Sequence, residues 1–178
     1  MNLKKILVPV TLSAGSRAAV GVAANLAQES GASIVLLHAV QLKIAGEERG
    51  IPRTRLLNEL RDDVEDRLWQ LIEGARVRVP TELVVCEGPP GETILEKANS
   101  LAADVIVMCT HGYRGWLRWL HRNTARYVLR HAPCPVWLVS PGKRNGATTL
   151  TIVDNTAADR SLQPPSRHEY SHPLQSVL

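Results

Sequence analysis

Ile6-Leu7-Val8-Pro9-Val10 is a run of five apolar residues that stops at a polar turn, Thr11 to Gly15. A strand with one wet face alternates apolar and polar residues. A run with no polar position belongs to a strand buried on both faces, as in a parallel sheet covered by helices. The pattern then changes period. Ser16 to Glu29 carries Ala19, Val22 (or Ala23) and Leu26 on one helical stripe and closes at Gly31. Ile34 to Val40 is a second continuous apolar strand.

The same alternation runs outward along the chain. A polar stretch with Gly46, Gly50 and Pro52 reads as a loop. Thr54 opens a longer helix with Leu57, Leu60, Val64, Leu68 and Leu71 three or four residues apart, ended by Pro80. Leu83 to Cys86 is a third strand. Gly88-Pro89-Pro90-Gly91 turns into a short helix with Ile94, Leu95, Ala98 and Leu101. Val105 to Met108 and Val136 to Val139 are the fourth and fifth strands, and the second half of His111 to His131 reads as a helix between them. The order predicts an α/β fold, an open five-stranded parallel sheet with helices on both faces, Rossmann-like and joined by right-handed crossovers. Residues 1–141 form one domain in this reading. Residues 142–178, rich in Gly, Asn, Thr, Ser and Pro, read as a disordered tail in which Thr149 to Val153 is a candidate short strand.

Composition narrows the function classes. With 178 residues the chain is long enough to bury a core, and with no Phe that core is aliphatic. The 21 Lys and Arg against 17 Asp and Glu leave +4, too little for a nucleic-acid binder unless the charge is concentrated. Cys86, Cys109 and Cys134 lack the pairing or spacing of a disulfide framework or zinc site, and read as buried thiols in a reducing cytoplasm. No metal is expected. The apolar run behind Met1 to Lys5 is too short for a secretory signal, and no window reaches the roughly 18 apolar residues of a membrane span.

In an open parallel sheet, ligands bind outside the carboxyl ends of the strands. Those ends are Thr11, Val40 with Gln41, Glu87, Cys109 to Gly112, and Ser140. Glu87 and His111 are the acid–base candidates there, with no third residue placed to orient either, so no catalytic residue is assigned and an enzyme is not expected. The turn after the first strand lacks GxGxxG. The turn after the fourth offers Gly112 for close backbone approach and Asn123 as an N-cap, nine residues of chain (Tyr113 to His121) and Arg122 lying between. A helix N-terminus at Thr124 suits a phosphate. A plain turn and a capped helix fit the same spacing.

Together Ile6 to Val10, Leu36-Leu37-His38-Ala39-Val40 and Gly88-Pro89-Pro90-Gly91-Glu92-Thr93-Ile94 resemble landmarks of the universal stress protein family. The specific pairing is Asp104 to Gly112, ending Thr110-His111-Gly112, with Arg130-His131-Ala132-Pro133-Cys134-Pro135-Val136. The resemblance covers Asn2 to about Ser140. It implies the fold just derived, a role in stress response, and a homodimer through the last strand, here Val136, Trp137, Leu138 and Val139. An apolar edge strand also calls for a partner on physical grounds.

The resemblance further implies two kinds of member, ATP-binding and not, the former with G-x2-G-x9-G-[ST] after strand four and an Asp ending strand one. This chain keeps Gly112 and the spacing, and Pro9 and Val40 match pocket positions. Cys109 replaces the first glycine, Arg122-Asn123 the closing pair, and Thr11 the Asp. Two added Cβ atoms narrow a phosphate cradle, and a hydroxyl is no acceptor-only carboxylate; Arg122 and Asn123 could still meet a phosphate. The candidate nucleotide set is therefore Pro9, Thr11, Val40, Cys109, Gly112, Arg122, Asn123 and Thr124. The resulting expectation is a non-catalytic cytoplasmic regulator with weakened or lost ATP binding and no required cofactor. The alternative is an adenine-nucleotide switch with an altered phosphate loop. A protein partner stays unidentified, and nucleic acid and membrane are not expected partners.

The charge is concentrated after all. Arg114, Arg118, Arg122, Arg126 and Arg130 fall four apart in a segment, His111 to His131, without a single acid, so that segment carries +5 and the remainder −1. Where the segment is helical they form a stripe. A solvated helix face, a lid over a phosphorylated ligand, and a contact for RNA or an acidic protein are its three readings.

Overall fold

The computed structural model describes residues 2–41, 53–109, 124–140 and 149–154. In chain order these form β1 (Lys5–Pro9), α1 (Ala14–Ser30), β2 (Ser33–Val40), α2 (Arg53–Gly74), β3 (Thr81–Glu87), α3 (Pro90–Ser100), β4 (Val105–Cys109), α4 (Thr124–His131), β5 (Val136–Ser140) and β6 (Thr149–Val153). The first five strands are parallel, in the order β3-β2-β1-β4-β5. The expected loop with Gly46, Gly50 and Pro52 lies outside the described residues.

The two faces of the sheet build two cores. Ile6, Val8, Ile34, Leu36, Val105 and Val107 meet Ala19, Val20, Ala23 and Ala27 of α1 and Val64, Leu68 and Ile72 of α2. Leu7, Val35, Leu37, Ile106 and Val136 turn the other way, onto Ile94 and Ala98 of α3 and Val128 of α4. Successive strand residues thus bury on opposite faces, which is why the runs have no polar position. Asp104 joins the centre of the sheet at its amino-terminal end: one carboxylate oxygen accepts the backbone N–H groups of Lys4 and Lys5 at 2.7 and 2.8 Å.

One expectation is corrected here. The sheet has six strands, not five, because Thr149–Val153 pairs antiparallel with β5 from Val136↔Val153 to Ser140↔Thr149. The expected tail therefore contributes a strand to the domain. The residues expected to carry a homodimer, Val136, Trp137, Leu138 and Val139, lie in an interior strand with β4 on one side and β6 on the other. The physical reason is that the edge β5 would have exposed is met by the chain itself.

Candidate functional site

The sheet parts where its order reverses. β1 and β4 pair at Ile6↔Val105 and Leu7↔Ile106 and no further. Pro9, without an N–H, cannot extend that ladder. On its other side β1 stays zipped to β2 through Pro9↔Leu37. The crossovers leaving β1 and β4 lie on opposite faces, which makes this opening the switch point at which open α/β sheets take ligands.

A cavity of about 260 Å3 occupies the opening. β1 and its turn give it Pro9, Val10 and Thr11; β2 gives Leu37, His38 and Ala39; β4 gives Met108 and Cys109. Ser16 of α1, Pro90 and Ile94 of α3, and Thr124 of α4 complete the described wall. The structure thus brings together Pro9, Thr11, Cys109 and Thr124 of the predicted set. Gly112, Arg122 and Asn123 lie outside the described residues, as do His111, Arg114 and Arg118. Arg126 and Arg130 are exposed on α4.

Val40, of the predicted set, does not line this cavity. It lines a second one, of about 310 Å3, with Leu60, Arg61 and Glu87 between α2 and the ends of β2 and β3. Val40 is the last residue of β2, one beyond Ala39, where Asn58, Leu60 and Arg61 of α2 join it. Sequence reasoning missed Ser16 and His38. The available signal for His38 was a lone polar residue near the carboxyl end of an apolar strand.

The first cavity is mostly apolar, with a few hydrogen-bonding groups and no charge in its described wall. No Asp, Glu, Lys or Arg stands among its described lining residues. His38 Nδ1–H donates to the Val10 carbonyl at 2.9 Å, which fixes the proton on that nitrogen and leaves Nε2 as the ring's other polar atom. The Thr11 N–H donates to Ser16 Oγ at 3.1 Å, and the Thr11 and Ser13 hydroxyls are 3.0 Å apart. Ser16 in turn donates its N–H to the Ser13 carbonyl, closing the turn into α1. Leu12 adopts φ 55 within that turn, a strained state worth about 1–3 kcal/mol for a residue with a side chain. The starts of α1, α3 and α4 all adjoin the cavity, so three sets of helix N–H groups and three positive dipole ends favour an anionic or acceptor-rich ligand.

Cys109 forms part of the floor. A Cβ on Gly15 would come within 2.8 Å of its Sγ, so the bare glycine is what lets α1 start against β4. Burial raises the thiol pKa to about 11, which keeps it protonated and a poor nucleophile near neutrality. Cys134 is raised to about 11 as well, by burial and then by the nearby Asp104. All three cysteines are free, with Cys86 half-buried. Among the described residues no group of three His, Cys, Asp or Glu could hold a metal ion. No described helix is long and apolar enough to cross a membrane.

A family model described as the universal stress protein family matches residues 2–140. The chain belongs to the universal stress protein family. Among curated relatives, a universal stress protein of Methanocaldococcus jannaschii is 31% identical over 145 residues, covering 79% of this chain and 84% of the relative. Among solved structures, universal stress protein UspA from Lactobacillus plantarum is 26% identical with a TM-score of 0.62, over 78% of this chain and 98% of that one. A universal stress protein in complex with cAMP shares the fold at 19% identity and a TM-score of 0.60, over 78% and 98% of the two chains. The universal stress protein fold seen here therefore has the parallel sheet and helix layers expected, with β6 added beyond the matched residues.

Proposed function

We propose that this universal stress protein is a cytoplasmic regulatory module that holds an adenine nucleotide loosely and performs no chemistry on it. The observation that carries this reading is the cavity at the β1–β4 switch point: a mostly apolar wall that carries the Thr11, Ser16 and Thr124 side chains, adjoins the starts of three helices and has no charged side chain among its described residues. A relative of the same fold is solved in complex with cAMP. Thr11 stands where an ATP-binding member has a carboxylate, so a charge-assisted hydrogen bond, worth about 1.5–3 kcal/mol, is replaced by a neutral one. Weak binding follows from that exchange.

Calorimetry of the full chain with ATP, ADP and cAMP tests the reading. Dissociation constants between about 10 µM and 1 mM are expected, or about −7 to −4 kcal/mol. Low-micromolar ATP binding would show the hold to be tight and overturn the weakened reading. No heat at millimolar concentrations of any of the three would favour an adaptor with an unused cleft, floored by Cys109. Thr11→Asp with Arg122→Gly and Asn123→Ser is expected to tighten ATP binding at least tenfold.

A further inference from the structure

β6 is an addition to the module. The family match stops at Ser140, the last residue of β5, and β6 begins at Thr149. It meets β5 along that strand's whole length, five residue pairs from Val136↔Val153 to Ser140↔Thr149. Leu150 and Trp137 both pack on the core of the α1 face, and Val139 is fully buried. Without β6, the five residues Val136–Ser140 would present an unpaired backbone edge beside apolar side chains. Such an edge recruits another strand.

The direction of β6 is informative. A second copy related by a two-fold axis would bring its own β5 alongside in the antiparallel sense, and β6 runs in that same sense. We propose that β6 is an intramolecular stand-in for a second copy: it occupies the β5 edge and keeps the full chain monomeric. Displacing it opens the edge to dimerisation through Val136 to Val139. Proximity decides the competition. Eight residues, 141–148, tether β6 to β5. A tether this short supplies a local concentration on the order of millimolar, so a free copy at micromolar levels competes at a disadvantage of roughly a thousandfold for comparable strands.

The test is light scattering on size-exclusion fractions, run on the full wild-type chain from 1 to 500 µM and on the full-length double variant Thr151→Pro/Ile152→Pro. Consecutive residues alternate the side to which they direct the N–H, so the two prolines together remove a ladder donor whichever residue supplies it. The expected result is a one-chain mass for the wild type throughout. The variant is expected at twice that mass by tens of micromolar, with its circular dichroism unchanged. A wild-type dimer overturns the proposal, and so does a folded variant that stays monomeric. A variant that unfolds also overturns it, because the proposal holds that the module stands without β6.

Discussion

At the scale of single residues, the contact between Gly15 and Cys109 fixes how closely α1 can approach the end of β4. Gly15→Ala places a methyl group 2.8 Å from Sγ but 3.9 Å from the Cys109 Cβ. The single substitution is expected to cost about 1–3 kcal/mol. Adding Cys109→Ala removes the sulfur and should recover most of the loss. Denaturant unfolding of the two single variants and the double checks this: additive effects would place the strain elsewhere. The thiols give a second expectation. With Cys109 and Cys134 raised from 9.0 to about 11, the unfolded chain releases protons above pH 9.0 that the folded chain keeps. Stability from these groups is whole below pH 9.0 and falls between pH 9.0 and about 11. At pH 8, a thiol reagent should label half-buried Cys86 quickly and the other two at the pace of opening; three fast equivalents would contradict the burial.

At the scale of elements, Asp104 ties β1 to β4 where their ladder is short. Removing its two hydrogen bonds with Asp104→Ala is expected to cost about 1.5–3 kcal/mol, read by denaturant unfolding. An unchanged midpoint would show that the Ile6 and Leu7 pairings hold the seam alone. The strands that were easiest to read are those whose burial is two-sided: Ile6 to Val10 and Ile34 to Val40 announce themselves because water touches neither face. β6, with Thr149 and Thr151, carries a fainter pattern, and its choice of β5 depends on tether length, which no periodicity encodes. Thr11, Cys109 and Thr124 were legible because strand ends and helix starts converge at the switch point. Val40 was expected in the same pocket because it too ends a strand, but the end of β2 also meets α2, which gathers Val40 with Leu60, Arg61 and Glu87 instead.

At the scale of the whole molecule, ligand binding and folding are linked. If the cavity holds a nucleotide in the native state alone, ten times the dissociation constant adds about 1.4 kcal/mol to stability. For a domain of this size that raises the melting temperature by about 3–6 °C. A thermal scan with ATP at that concentration should show the rise; a flat response would separate the cavity from nucleotide binding. The charge distribution is also a property of the whole. The chain outside His111 to His131 carries −1, so the arginines of that segment set the sign of the molecule's net charge.

The return of β6 has a consequence for handling the protein. Val153 lies beside Val136, at the opposite pole of the sheet from Cys109 and the cavity, and β1 also begins at that pole with Lys5. Both ends of the described fold therefore emerge on the side away from the ligand mouth. Attachment through Asn2 or just after Asp154 is an orientation choice made by topology: it presents the switch-point cavity outward from any surface to which the chain is anchored.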